Sequence, residues 1–123
     1  MKFLNKIYLY DTIYSTMKKM ALAYDYSISF DGEDNIYLGR CAELPSLMAH
    51  GKTQVQALEE IVKVVVETLK WMKEDGEELP SPFSLMKFSG KIGLRMSPEQ
   101  HKRVTINASL QGISINKYIT SKL

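Results

Sequence analysis

The sequence predicts an α+β protein: a small antiparallel sheet with one covering helix, followed by a strand-helix-helix module that a second copy of the chain must complete. Three observations carry this. Apolar residues alternate along the stretch from 24 to 50, they recur at helical spacing from 58 to 72, and beyond residue 86 both charge and periodicity change. With 123 residues, the chain has room for a small domain plus a short module that is not stable alone.

In the sheet region, YDYSISF at 24–30 places Tyr24, Tyr26, Ile28 and Phe30 on one face, with Asp25, Ser27 and Ser29 between them. That alternation predicts a strand with one buried face. DGEDN at 31–35 predicts a turn, IYLGRCA at 36–42 a second strand, and SLMAH at 46–50 a third after the break at Leu44-Pro45-Ser46. Short connections make this an antiparallel meander.

Thr53 followed three residues later by Gln56 has the spacing of a capping box and predicts a helix start. Leu58, Ile61, Val62, Val65, Leu69 and Met72 then form its apolar stripe, which covers the sheet. The helix fades at Glu74-Asp75-Gly76, and Pro80-Ser81-Pro82 predicts a connector or edge strand running to about Ser89.

The tail has a different character. Residues 1–86 hold nine Lys/Arg against thirteen Asp/Glu, a net of −4, whereas 87–123 hold seven Lys/Arg against Glu99 alone, a net of +6. Such a density of positive charge favours a polyanionic partner. Lys91, Gly93 and Arg95 alternate with Ile92, Leu94 and Met96, which predicts a strand with a basic face and an apolar face. Ser97-Pro98-Glu99 starts a helix that stops at Gly112, and Ser114 caps a second with Ile115, Tyr118, Ile119 and Leu123 on one face.

A module this short buries too little surface to be stable alone, and its strand lacks a partner within it. Two copies pairing their strands about a two-fold axis would bury Ile92, Leu94 and Met96 as a dimer core beneath four helices, with Lys91 and Arg95 projecting outward. A two-stranded ribbon of that kind has the right size for a DNA major groove. A charged, protected edge strand is the plainer alternative, but it leaves the apolar face unexplained.

SGKIGLRMSPEQHKRV followed by GISINKYI resembles the ribbon-helix-helix repressors over residues 89–123, with Pro98, Gly112, Ser114 and Asn116 in register. More narrowly, it resembles the C-terminal arm of HicB antitoxins. Upstream, YDYSISFDGEDNIYLGRCAELPSLMAHGKTQVQALEEIVKVVVETLKWM is similar to the HicB N-terminal domain, with its E-L-P turn at Glu43 to Pro45 and G-x-T-x-x-x-A-L at Gly51 to Leu58. The resemblance implies a partial ribonuclease H-like fold that caps a HicA-like, RNA-cleaving toxin, and an arm that binds operator DNA and represses its own operon. It implies DNA contacts from Lys91, Gly93, Arg95, Ser114, Asn116 and Lys117, although Gly93 stands where such repressors commonly carry a base-reading side chain. Residues 1–19 have no counterpart in the pattern and form an N-terminal extension, or precede a natural start at Met17 or Met20. The expected division is therefore 1–19, a partner-binding domain with connector at 20–86, and the DNA-binding arm at 87–123.

No enzyme is expected. Two-metal nuclease chemistry needs several carboxylates converging on one site. The candidates Asp25, Asp31, Glu33, Asp34 and Glu60 are placed by the pattern on a polar strand face, a turn and a helix surface, where solvation is the ordinary reading. Cys41 is expected as a small buried hydrophobe, and His50 and His101 as local or surface residues, so no metal and no cofactor are expected. Asn5, Lys6 and Asp11 interrupt what would be a signal peptide, and the longest apolar run is far too short for a bilayer, which predicts a cytoplasmic protein without a membrane partner. Alternatives are a stand-alone regulator whose N-terminal domain senses a ligand or oligomerises, and a residual nuclease. The assembly expected is a homodimer, or a higher oligomer built from dimers.

Overall fold

The chain opens on a helix where sequence patterning assigns no element. The computed structural model describes residues 2–123, with side chains described from residue 12 on, and its first element is α1 (Lys2–Leu22). Ile13, Met17, Met20 and Ala21 recur at helical spacing, and Met17 and Ala21 are buried in the core. Much of the stretch at 1–19 therefore lies in a helix packed on a later one. Sequence reasoning took Asn5, Lys6 and Asp11 only as breaks in a would-be signal peptide and assigned the stretch no element, because no tertiary partner was in view.

Two compact units divide the chain, Met1–Lys87 and Phe88–Leu123. In the first, β1 (Tyr26–Asp31), β2 (Ile36–Cys41) and β3 (Met48–Gly51) form an antiparallel sheet in the order β1-β2-β3. Register places Tyr26 opposite Cys41, Ile28 opposite Gly39 and Phe30 opposite Tyr37, while Gly39 and Tyr37 face Ala49 and Gly51 across the other ladder. The strand ends agree with expectation to within one residue, and two strand starts differ by two. β1 begins at Tyr26 rather than Tyr24, because the Tyr24 and Asp25 amides are bonded to Ala21 and Glu43. β3 begins at Met48 rather than Ser46, because the Leu47 amide closes a turn on the Leu44 carbonyl.

The helix α2 (Gln54–Glu74) starts at the expected cap, the Thr53 hydroxyl accepting from the Gln56 amide at 3.0 Å, but the reciprocal bond of a capping box is not made, since the Gln56 side chain accepts from the Lys52 amide at 2.6 Å instead of from Thr53. Ala57, Ile61, Val65, Val66 and Leu69 are buried, whereas Leu58, expected in the stripe, is 41% exposed. At the far end Gly76 adopts φ +72 and the Glu77 amide returns to the Met72 carbonyl, a C-terminal closure that favours glycine. Close seating of α2 on the sheet depends on Gly39, where a Cβ would lie 2.8 Å from the Ala57 carbonyl oxygen and 2.9 Å from an Ile61 methyl.

The segment after α2 forms no edge strand. It is held by side chains instead: the Tyr24 hydroxyl donates to the Pro80 carbonyl at 2.6 Å, the Phe83 amide donates to the Glu43 carboxylate at 2.9 Å, and a short 3-10 turn spans Phe83–Leu85. Glu43 is the buried charged residue of the core region, with the Asp25 amide donating to the same carboxylate. Two prolines leave this segment few ladder donors, so discrete hydrogen bonds replace a strand. Burial, reinforced by Cys41 and Glu43 nearby, pushes the Tyr24 phenol up to about 12 and raises that of Tyr26 as well. Cys41 is buried as expected, and desolvation raises its thiol.

Candidate nucleic-acid interface

The second unit is built from two helices with locally determined ends. Ser97 and Gln100 form a reciprocal capping box at 3.1 and 3.0 Å, and proline occupies the first turn of α3 (Pro98–Leu110). Each orphan amide satisfied in this way typically contributes about 1 kcal/mol. Gly112 at φ +66 ends the helix, with the Gly112 amide on the Ser109 carbonyl and the Ile113 amide on the Ala108 carbonyl. Ser114 then caps α4 (Ile115–Thr120) by accepting from the Lys117 amide at 3.0 Å. Asn107 donates to the Tyr118 hydroxyl at 3.3 Å and ties the two helices together.

Before α3 the chain differs from expectation. Residues 91–96 form no ladder in the single chain, because a strand exists only through pairing and the described residues offer this segment none. The expected dimer core is accordingly open: Ile92 is 88% exposed, Leu94 61% exposed and Met96 half-buried. Among the described residues of the unit, Ala108 alone is buried. Leu94, Met96, Val104, Tyr118 and Ile119 line an open cleft of about 510 Å³, with Arg95 and Arg103 at its walls. A unit of this size with one buried residue lacks the apolar burial that holds a fold together.

Lys91, Gly93, Arg95, Ser114, Asn116 and Lys117 are all exposed within this unit. Lys91 and Arg95 flank Gly93 in the segment before α3, and Lys117 stands in the first turn of α4. The Ser114 hydroxyl accepts the capping bond, which leaves its own proton available to an anion. Sequence reasoning passed over Arg103, on the cleft wall, and Lys122, whose ammonium lies 5.2 Å from the Tyr118 ring centroid. Arg103 lies five residues beyond Pro98 on α3, a position that only the fold relates to Arg95.

In the first unit the carboxylates considered for metal chemistry are dispersed. Asp25 precedes β1, while Asp31 ends it and accepts the Glu33 and Asp34 amides in a local turn. Six residues of strand separate the two ends by about 20 Å. Glu60 is paired with Lys63 at 3.3 Å. Among the described residues no three His, Cys, Asp or Glu side chains gather as metal ligands, and no helix is long and apolar enough to cross a membrane. His50 and His101 are exposed. A groove of about 480 Å³ lies between α1 and α2, lined by Leu22, Leu58, Val62 and Val66 among others.

The HicB family model matches residues 69–123, from the last turns of α2 through the whole second unit. No curated protein matches the chain, and no solved structure does.

Proposed function

We propose, on the premise that the chain belongs to the HicB family through residues 69–123, that it is the antitoxin of a toxin-antitoxin pair. Its first unit binds and silences an RNA-cleaving toxin, and its second is a ribbon-helix-helix arm that pairs with a second copy, binds operator DNA and represses the operon in the cytoplasm. The observation that carries this reading is the segment at 91–96, with Lys91 and Arg95 on one alternation and apolar Ile92, Leu94 and Met96 on the other, and without ladder in the single chain. A second strand answers both needs at once, by closing the ladder and burying Ile92 and Leu94. The resulting ribbon carries Lys91 and Arg95 toward DNA, while Ser114, Asn116 and Lys117 lie where phosphates are contacted.

No catalytic role is assigned to the chain in this reading. A stand-alone regulator is the second reading, and the apolar groove between α1 and α2 favours it by offering a ligand site of ordinary volume. Co-expression separates the two. A chain ending at Met86 should restore growth when produced with the toxic product of the neighbouring reading frame, should co-purify with it, and should not retain operator DNA. Absence of any partner protein on both the full and the shortened chain would favour the ligand-sensing regulator.

A further inference from the structure

We infer that Gly93 is a close-approach position, a glycine that lets the backbone of the basic segment lie against DNA. The inference rests on the DNA-reading arm proposed above. Gly93 has no reason within the chain to be glycine. A Cβ built there meets nothing within 4 Å, and its φ is not in the left-handed region. The contrast with the other glycines is direct: Gly39 and Gly51 would collide with α2, Gly76, Gly90 and Gly112 adopt positive φ, and Gly32 sits in the turn between β1 and β2. Within an extended segment glycine weakens the strand, and where neither a bulge nor packing requires it, it marks a place where a ligand or another backbone comes close.

What comes close is constrained by the neighbours. In the paired ribbon proposed above, alternation puts residue 93 on the face of Lys91 and Arg95, opposite Ile92 and Leu94. A paired strand lies beside the segment in the plane of the ribbon, so it does not press on that face. A polyanion drawn to two flanking cations does. Arg95 and Lys91 then reach the base edges or phosphates from either side of a bare centre, and any side chain at 93 lifts the ribbon away from both. Gly93 thus sets affinity and sequence preference by the room it leaves.

The test uses the full chain and its Gly93→Ala and Gly93→Thr variants, with duplexes selected by the unaltered chain from a random-sequence DNA pool. Both variants should keep the dimer and unfold at an equal or higher temperature, since alanine and threonine suit a strand better than glycine. Affinity for the selected duplexes should fall by about tenfold or more for alanine, and further for threonine. Equal affinity for all three chains overturns the inference and leaves the DNA-reading arm standing. A lowered melting temperature or loss of the dimer also overturns it, because the need for glycine then lies inside the assembly. Failure of the unaltered chain to retain any duplex overturns the arm itself, and the inference with it.

Discussion

The Glu43 carboxylate accepts the amide of Phe83 at 2.9 Å while also holding the Asp25 amide at 2.9 Å, so one buried side chain joins the start of the sheet to the segment beyond α2. Forty residues of chain separate Glu43 from Phe83. Glu43→Ala leaves two part-buried amides without their acceptor, a loss of about 1 to 3 kcal/mol in unfolding free energy. Glu43→Gln keeps an acceptor oxygen and should cost less. Urea titration of both variants measures the difference, and equal losses would count against the hydrogen-bonding role.

Gly39 tests the seating of α2. Gly39→Val places atoms where the Ala57 carbonyl and Ile61 already lie, so the helix must shift off the sheet, at a cost of about 1 to 3 kcal/mol. Thermal unfolding should show the loss, and Ile61→Ala combined with Gly39→Val should recover part of it, since the two changes share one space. Strict additivity would contradict the close approach.

Tyr24 predicts a loss of stability at high pH. Its phenol titrates near 10 in the unfolded chain and is pushed up to about 12 by burial in the folded one. Below pH 10 both states hold the proton and stability from this source is fully present; between about 10 and 12 the unfolded chain releases it first, so stability falls by something on the order of 2 kcal/mol. Tyr26 acts in the same direction. Tyr24→Phe should lower stability at neutral pH, through loss of the bond to Pro80, yet flatten the alkaline decline. An unchanged slope would show that another group governs it.

How much of this was legible in the sequence depends on whether the signal was local. The capping pairs Thr53 with Gln56 and Ser97 with Gln100, and the stop at Gly112, were readable because both partners lie within a few residues. The meander was readable from alternation. What escaped depends on distant partners: α1 is held by α2, Leu58 is left on a groove wall, and Glu43 finds Phe83 across the fold. The basic residues Lys91, Arg95 and Lys117 were readable from charge and spacing, whereas Arg103 joins Arg95 only through the cleft that the fold of the second unit creates. The strand expected at 91–96 is a case of its own, since its period is in the sequence while the described residues offer it no ladder partner.

Assembly through that strand is open to a direct test. Leu94→Asp would bury facing carboxylates against apolar neighbours in a paired ribbon, a penalty of several kcal/mol that a small dimer does not survive. The variant should sediment as a monomer, with fast amide exchange through α3 and α4. A dimer with protected arm helices would count against pairing through residues 91–96.

DNA reading by the basic arm is decided by the salt dependence of binding by the full chain beside Arg95→Ala and Lys117→Ala. For a dimeric basic arm, the logarithm of affinity for a palindromic upstream duplex should fall linearly with the logarithm of salt concentration. Lys117→Ala should weaken all duplexes alike and reduce the slope by about one for each phosphate it no longer neutralises. Arg95→Ala should instead cost about 1 to 3 kcal/mol on the preferred sequence and narrow its margin over others. Unchanged affinity and slope in both variants would mean that this arm does not read DNA.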